Sequence, residues 1–236
     1  MQFSRRGAMG AMAATGFWVW HEQAMAAGLG SLSVGGALGG LLGRASDAAL
    51  DQLAKPGAFF ADPAVRIGLP AVARSVGGGG LGNLLGQALD AGGKLGLTDG
   101  LVRRMNDAAG VAAGAAKPVF RTAISKLTLA DLPDLVTHSD GASQYLRKSS
   151  GDMLTGKLRP LVDGALGKLG ALAELDRLTK NPLVADVVGL TKSALAKTVT
   201  EQAMNGIFQY IGHEEGKLRA NPLDPVAGVL KGLFSQ

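Results

Sequence analysis

Asp152 and Glu214 are the two carboxylates of this chain whose positions invite a chemical reading. Two such groups facing one open cleft can divide acid and base roles in hydrolysis, provided both converge on the same space. Glu214 sits in "NGIFQYIGHEEGKLRANP" (205–222), an amphipathic stretch with a carboxylate where the periodicity asks for an apolar side chain. Steps of about 100° per residue place Ala203, Ile207, Tyr210, Ile211 and Leu218 on one face, with Glu214 inside that arc, Glu215 near its edge and His213 pointing away. Asp152 belongs to a ladder of seven-residue steps, Tyr145, Asp152 and Arg159, which share one stripe if 141–159 is continuous helix. Arg66 is a further ionic residue among apolar neighbours, in the connector "KPGAFFADPAVRIGLP".

With Arg147, these residues form a candidate set: Arg66, Tyr145, Arg147, Asp152, Arg159, Glu214 and Glu215. Either they line a polar pocket that cradles a ligand, or they form a buried ion-pair network that fixes how helices cross. The network is favoured, because charge inside a core is as a rule paired. Glu214 is then expected to face inward and to be gripped by Arg66, with Arg147 and Arg159 next in order, since a guanidinium suits a two-point hold on a carboxylate.

Other chemistries find less support. The absence of Cys excludes disulfides, thiolate nucleophiles and thiolate zinc sites. His21, His138 and His213 are scattered, and "HEE" at 213–215 lacks the second His of a helical zinc motif, so no metal is expected. Gly80, Gly82 and Gly86 can be aligned to a dinucleotide fingerprint, but no strand precedes them and no phosphate-loop Gly-Lys-Ser/Thr occurs, so no cofactor is expected either. Gly110 and Gly114 are better explained as small residues that let helices approach.

The elements that must position these groups are helices. Apolar positions recur at three and four and β-branched residues rarely alternate, which predicts an all-α, single-domain, irregular multi-helix bundle with kinked helices. Helical stretches are expected over 31–54, 70–92 (interrupted by "GGGG" at 77–80), 99–126, 128–137, 141–172, 183–219 and 223–234. Asp62 and Pro63 should cap a short turn in the connector. Pro118 and Pro160 should kink or divide their helices, Ser149-Ser150-Gly151 should weaken one, and a break is expected near Gly189 or Gly206.

Of 236 residues, 24 are Lys or Arg and 19 Asp or Glu, spread along the chain, and aromatics are scarce, which argues against nucleic acid as a partner. Residues 1–26 read as a cleaved signal peptide: Arg5 and Arg6, the apolar "GAMGAMAATGFWVW", then the small pair in Ala24-Met25-Ala26. The apolar run is shorter than the roughly 20 residues a spanning helix needs, so the processed chain is not expected to be an integral membrane protein. Ser4-Arg5-Arg6 fits a twin-arginine signal in part, leaving that route and the Sec route both open. Residues 27–44 read as a Gly-rich, partly helical lead-in and 45–236 as the helical domain.

"DPAVRIGLP", "AKPVFRTAISKLTLADL", "YLRKSSGDMLTGKLRPLV" and "AMNGIFQYIGHEEGKLRANP", with "VLKGLF" near the end, follow one another in that order. Together they resemble the bacterial envelope family known as domain of unknown function 4197, from about Ala45 to Phe234. The resemblance implies an exported helical protein and no particular activity. The chain departs from it in having no lipobox Cys and more Gly between 35 and 96. The expected function is a non-enzymatic periplasmic protein that binds an envelope partner or a lipid-like ligand through a groove between helices. A structural or assembly role is the alternative, and a hydrolase using Asp152 and Glu214 comes third.

Overall fold

The computed structural model describes residues 36–69, 98–127, 138–180 and 191–221. The expected signal peptide, the expected helices at 70–92, 128–137 and 223–234, the start of 183–219 and the Gly80 to Gly86 cluster lie outside them. Six helices and no strand occur among the described residues, so the chain is all-α as the periodicity predicts. Helix α1 is described over 36–53, α2 is Ala58–Ala61, α3 Asp99–Ser125, α4 Gly141–Lys168, α5 Ala171–Thr179 and α6 Lys192–Ala220. No described helix is long and apolar enough to cross a membrane.

In α1, Leu38, Leu41, Leu42, Ala45, Ala49, Leu50 and Leu53 are all buried, the three-and-four spacing of a core-facing helix. The helix continues unbroken through 36–44 into 45–53. Gly57 (φ 74°) then turns the chain in the left-handed conformation that a side chain rarely adopts. Asp62 Oδ1 accepts the Ala64 N–H at 2.9 Å, closing the expected turn. Residues 66–69 carry no regular structure, yet the backbone of Ile67 and Gly68 is bonded by two side-chain amides. Asn106 accepts from Ile67 N–H (2.8 Å) and donates to Ile67 C=O (2.9 Å), while Gln202 does the same for Gly68 (2.9 and 3.3 Å). The connector is thereby tied to α3 and α6 at once, with the N–H and C=O of both Ile67 and Gly68 met within the protein.

Small residues set the distances. A Cβ on Gly110 would lie 3.1 Å from the Leu53 carbonyl and one on Gly114 3.1 Å from the Ala54 Cβ, so these glycines let the end of α1 lie against α3. Gly206 does the same for Val65 and Phe59, at 3.1 and 3.2 Å, and α6 runs through it unbroken; Gly189, the other expected place for a break, lies outside the described residues. Pro118 and Pro160 likewise leave α3 and α4 undivided. The residue four before each, whose carbonyl a proline ring crowds, is a glycine, Gly114 or Gly156, where the backbone can yield most easily. Ser149-Ser150-Gly151 is also continuous helix. The expected helix 141–172 instead ends at Lys168, because Gly170 (φ 74°) reverses the backbone before α5 begins.

Helix α4 packs most extensively on α3 and α6. Ser143, Arg147 and Arg159 of α4 meet Glu215, Asn205 and Ser193 of α6, so the two helices run antiparallel. Phe120 of α3 and Phe208 of α6 close the core between them, with ring centres 6.0 Å apart and planes tilted by 57°.

Candidate functional site

The first turn of α4 needs an acceptor. The backbone N–H groups that open a helix have no partner within it, and Asp140, at the N-cap, makes no capping bond with its side chain. Its Oδ1 instead accepts from the Gln144 amide at 2.9 Å. Glu215, fully buried on α6, supplies the acceptor from across the seam. Its carboxylate takes the N–H of Ala142 (Oε1, 3.0 Å), the N–H of Ser143 (Oε2, 2.7 Å) and the Ser143 hydroxyl. Arg219, one turn on, donates to the same Oε1 through Nε (2.9 Å) and Nη2 (2.6 Å). A buried carboxylate is thus neutralised by a guanidinium and by the positive end of a helix, the arrangement that burial of charge requires.

Directly beside this cap, α4 and α6 part to form an open groove. One lobe, of about 370 Å³, is lined by Arg147, Gly151, Asp152 and Thr155 of α4 and by Glu201, Met204, Asn205 and Phe208 of α6. The other, of about 480 Å³, runs toward the α4 N-terminus past Asp140, Ser143, Gln144 and Gln209, and shares Arg147, Asn205 and Phe208 with the first. Arg147 stands where the lobes meet. Its Nη2 donates to Asn205 Oδ1 at 2.5 Å and its guanidinium lies 5.5 Å from the centre of the Phe208 ring. Glu201 is within ion-pair distance of Lys197, at 3.8 Å. Asp152 makes no ion pair among the described residues.

The candidate residues therefore separate. Arg147 and Asp152 line the groove, and Glu215 lies buried behind it. Arg159, at the far end of the seam, reaches the Ser193 carbonyl (3.3 Å) and Asp163 (3.8 Å). Tyr145 is half-buried, and its carbonyl accepts from Ser149 Oγ at 2.7 Å. Arg66 is exposed on the connector, its Nε on the Phe60 carbonyl at 2.6 Å and its guanidinium 4.7 Å from the Phe60 ring centre. Tyr145, Asp152 and Arg159 do not gather at one point.

Glu214 is not held by Arg66, Arg147 or Arg159: its partner is Lys217, at 2.7 Å, and the buried carboxylate is its neighbour Glu215. The correction has a geometric cause. Counting Tyr210 as core tilts the apolar arc toward 214, four residues on, whereas the buried seam of α6 runs through Thr200, Met204, Ile207, Phe208 and Ile211 to Glu215. Tyr210 is only half-buried, drawn inward by a polar contact: its hydroxyl donates to Asp62 Oδ2 at 2.6 Å.

That contact perturbs both groups. The Tyr210 bond, and then the Ala64 N–H, hold the Asp62 carboxyl below its ordinary value, against a smaller opposing effect of burial. The Tyr210 phenol is pushed up to about 12, first by the same bond, then by burial and by the Asp62 charge. Asn205, Gln144, Gln209 and the amides Asn106 and Gln202 escape sequence reasoning, since exposed and buried amides on a helix look alike there.

Neither a curated protein nor a solved structure matches the chain. The family described as protein of unknown function DUF4197 matches residues 28–235, a span that includes the connector after α2, the helices α3, α4 and α6, and the groove between the last two. The chain belongs to that family.

Proposed function

We propose that this is a non-enzymatic exported binding protein whose groove between α4 and α6 holds an extended, carboxylate-bearing segment of a partner polypeptide. The observation that carries the reading is Arg147. Its guanidinium is oriented by Asn205 and Phe208, opens to solvent, and has no carboxylate within ion-pair distance among the described residues. A fork held in this way has donors left for a ligand carboxylate and loses little freedom on binding one. Around it stand Gln144, Asn205 and Gln209, groups able to take both N–H and C=O of a peptide, as Asn106 and Gln202 do for residues 67 and 68 of the chain itself. Met204 and Phe208 give the groove an apolar floor.

A polar lining on this scale suits a peptide better than a lipid-like ligand, for which a deep apolar cavity would be needed. Acid and base work by Asp152 with Glu214 loses its basis, because Glu214 is on Lys217 and does not line the groove. Export to the periplasm rests on Arg5, Arg6, the apolar run and Ala24-Met25-Ala26; the family match begins at residue 28, two past the expected cut after Ala26.

An array of short peptides with and without an acidic residue tests the binding. Acidic members should be retained by the wild type and at least tenfold more weakly by Arg147→Gln, with the circular dichroism of the variant unchanged. Equal retention by Arg147→Gln, or indifference to the carboxylate, would overturn it.

A further inference from the structure

A second cationic feature lies on the connector, away from the groove. The guanidinium of Arg66 lies 4.7 Å and that of Arg103 4.5 Å from the centre of the same Phe60 ring. Their central carbons are therefore no more than roughly 9 Å apart, close for two like charges at a surface. Arg121, Arg177 and Arg219 each close on a carboxylate. Arg66 and Arg103 do not, among the described residues, although Asp99 and Asp107 stand one helical turn either side of Arg103 and Asp62 one turn before Arg66. Asp62 is occupied by Tyr210 and the Ala64 N–H.

The pair is also held in place. Arg66 Nε is fixed on the Phe60 carbonyl at 2.6 Å, and the segment that carries Arg66 is tied to α3 and α6 through Asn106 and Gln202. Arg103 projects from the second turn of α3. Both side chains are exposed, and the Nη groups of Arg66 and every N–H of the Arg103 guanidinium lack a hydrogen-bond partner among the described residues.

We propose that Arg66 and Arg103, stacked on Phe60, form a binding site for a phosphate group. The match is one of charge and shape. A tetrahedral phosphate offers oxygens in several directions to two planar forks, whereas a carboxylate is satisfied by one. The aromatic ring they share orders the guanidiniums without neutralising them, so the charge remains for the ligand. The site has no enclosing wall, which suits a phosphate presented by a lipid headgroup or one free in solution.

The test uses the full-length protein at low ionic strength, titrated calorimetrically with inorganic phosphate and, separately, mixed with sedimenting vesicles of phosphatidylglycerol or of phosphatidylcholine alone. Saturable binding is expected in at least one arm. Phosphate titration without a preference for phosphatidylglycerol identifies the free anion, and vesicle binding alone identifies the headgroup. Arg66→Gln with Arg103→Gln should weaken that binding at least tenfold, as should Arg103→Gln alone, which leaves the Arg66 to Phe60 contact intact. Lys148→Gln with Lys157→Gln, an equal loss of charge from the exposed face of α4, should leave it within twofold. Absence of binding in both arms, or an equal loss in the Lys148 and Lys157 control, would overturn the proposal.

Discussion

Replacing Glu215 by Ala removes the acceptor that begins α4. The side chain is fully buried and takes two backbone N–H groups, the Ser143 hydroxyl and the Arg219 guanidinium. Loss of an N-cap alone costs about 1 kcal/mol. Here the backbone N–H groups of Ala142 and Ser143 are stranded in a dry seam, at about 1–3 kcal/mol for each unmet donor, and Arg219, only 11% exposed, loses its carboxylate. Breaking a buried ion pair from one side costs about 3–5 kcal/mol, and the contributions overlap because they share one carboxylate, so about 3–5 kcal/mol is expected in all. Against a total stability of about 5–15 kcal/mol that is a large fraction. Glu215→Gln should fall between, since one oxygen still accepts while the new amide N–H₂ confronts a donor. Urea unfolding followed by circular dichroism gives the difference, with an unchanged slope showing that both variants unfold the same way. Amide exchange at Ala142 and Ser143 should speed up in parallel. A Glu215→Ala midpoint within about 1 kcal/mol of wild type, or unchanged protection of the α4 first turn, would refute the reasoning.

Three more outcomes follow from other contacts. The Tyr210 phenol stands above its ordinary value of 10.0, at about 12, so its bond to Asp62 contributes in full below about pH 10 and is lost as pH rises from there through about 12. Asp62 is depressed, so its share is present above the ordinary carboxyl value and is lost as pH falls through the lower folded one; Tyr210→Phe should remove the alkaline dependence and lessen the acid one, read from melting temperature against pH. Gly206→Ala should cost about 1–3 kcal/mol by pressing a methyl group on Val65 and Phe59, whereas Gly164→Ala, with nothing near its Cβ, should gain about 0.5–1 kcal/mol, both read by urea unfolding. Asn106→Ala should cost about 2–4 kcal/mol by stranding the Ile67 N–H and C=O, and calorimetric melting would expose a smaller loss.

What the sequence made legible was whatever depends on near neighbours. The extent of α3, the Asp62 turn and the small-residue approach at Gly110 and Gly114 all follow from spacing within a few residues. The break before α5 is not legible because the apolar pattern carries on past Gly167 and Gly170, and only Gly170 adopts the left-handed conformation. Of the two glycines at which a break is expected, Gly206 proves continuous for the opposite reason. Propensity charges that glycine for helix formation, while the contact with Phe59 and Val65, far away in the chain, decides its use. Periodicity places the buried carboxylate one residue on from Glu214 once Tyr210 counts as a polar tip and not as core. That Glu215 caps a helix more than seventy residues upstream was not, because capping patterns in sequence are local. Arg147 was in the candidate set for its charge; its value as an open fork depends on Asn205 and Phe208, which only the antiparallel pairing of α4 and α6 brings to it.

The groove is tested most directly by amide chemical-shift mapping of the isotope-labelled protein with the best-retained acidic peptide of the array. The shifts should cluster at Gln144, Arg147, Asp152, Met204, Asn205 and Gln209, saturate together, and vanish in Arg147→Gln while the rest of that variant's spectrum keeps its dispersion. Shifts concentrated around Phe60 and Arg103 instead, or a spectrum in Arg147→Gln that responds as the wild type does, would contradict the account.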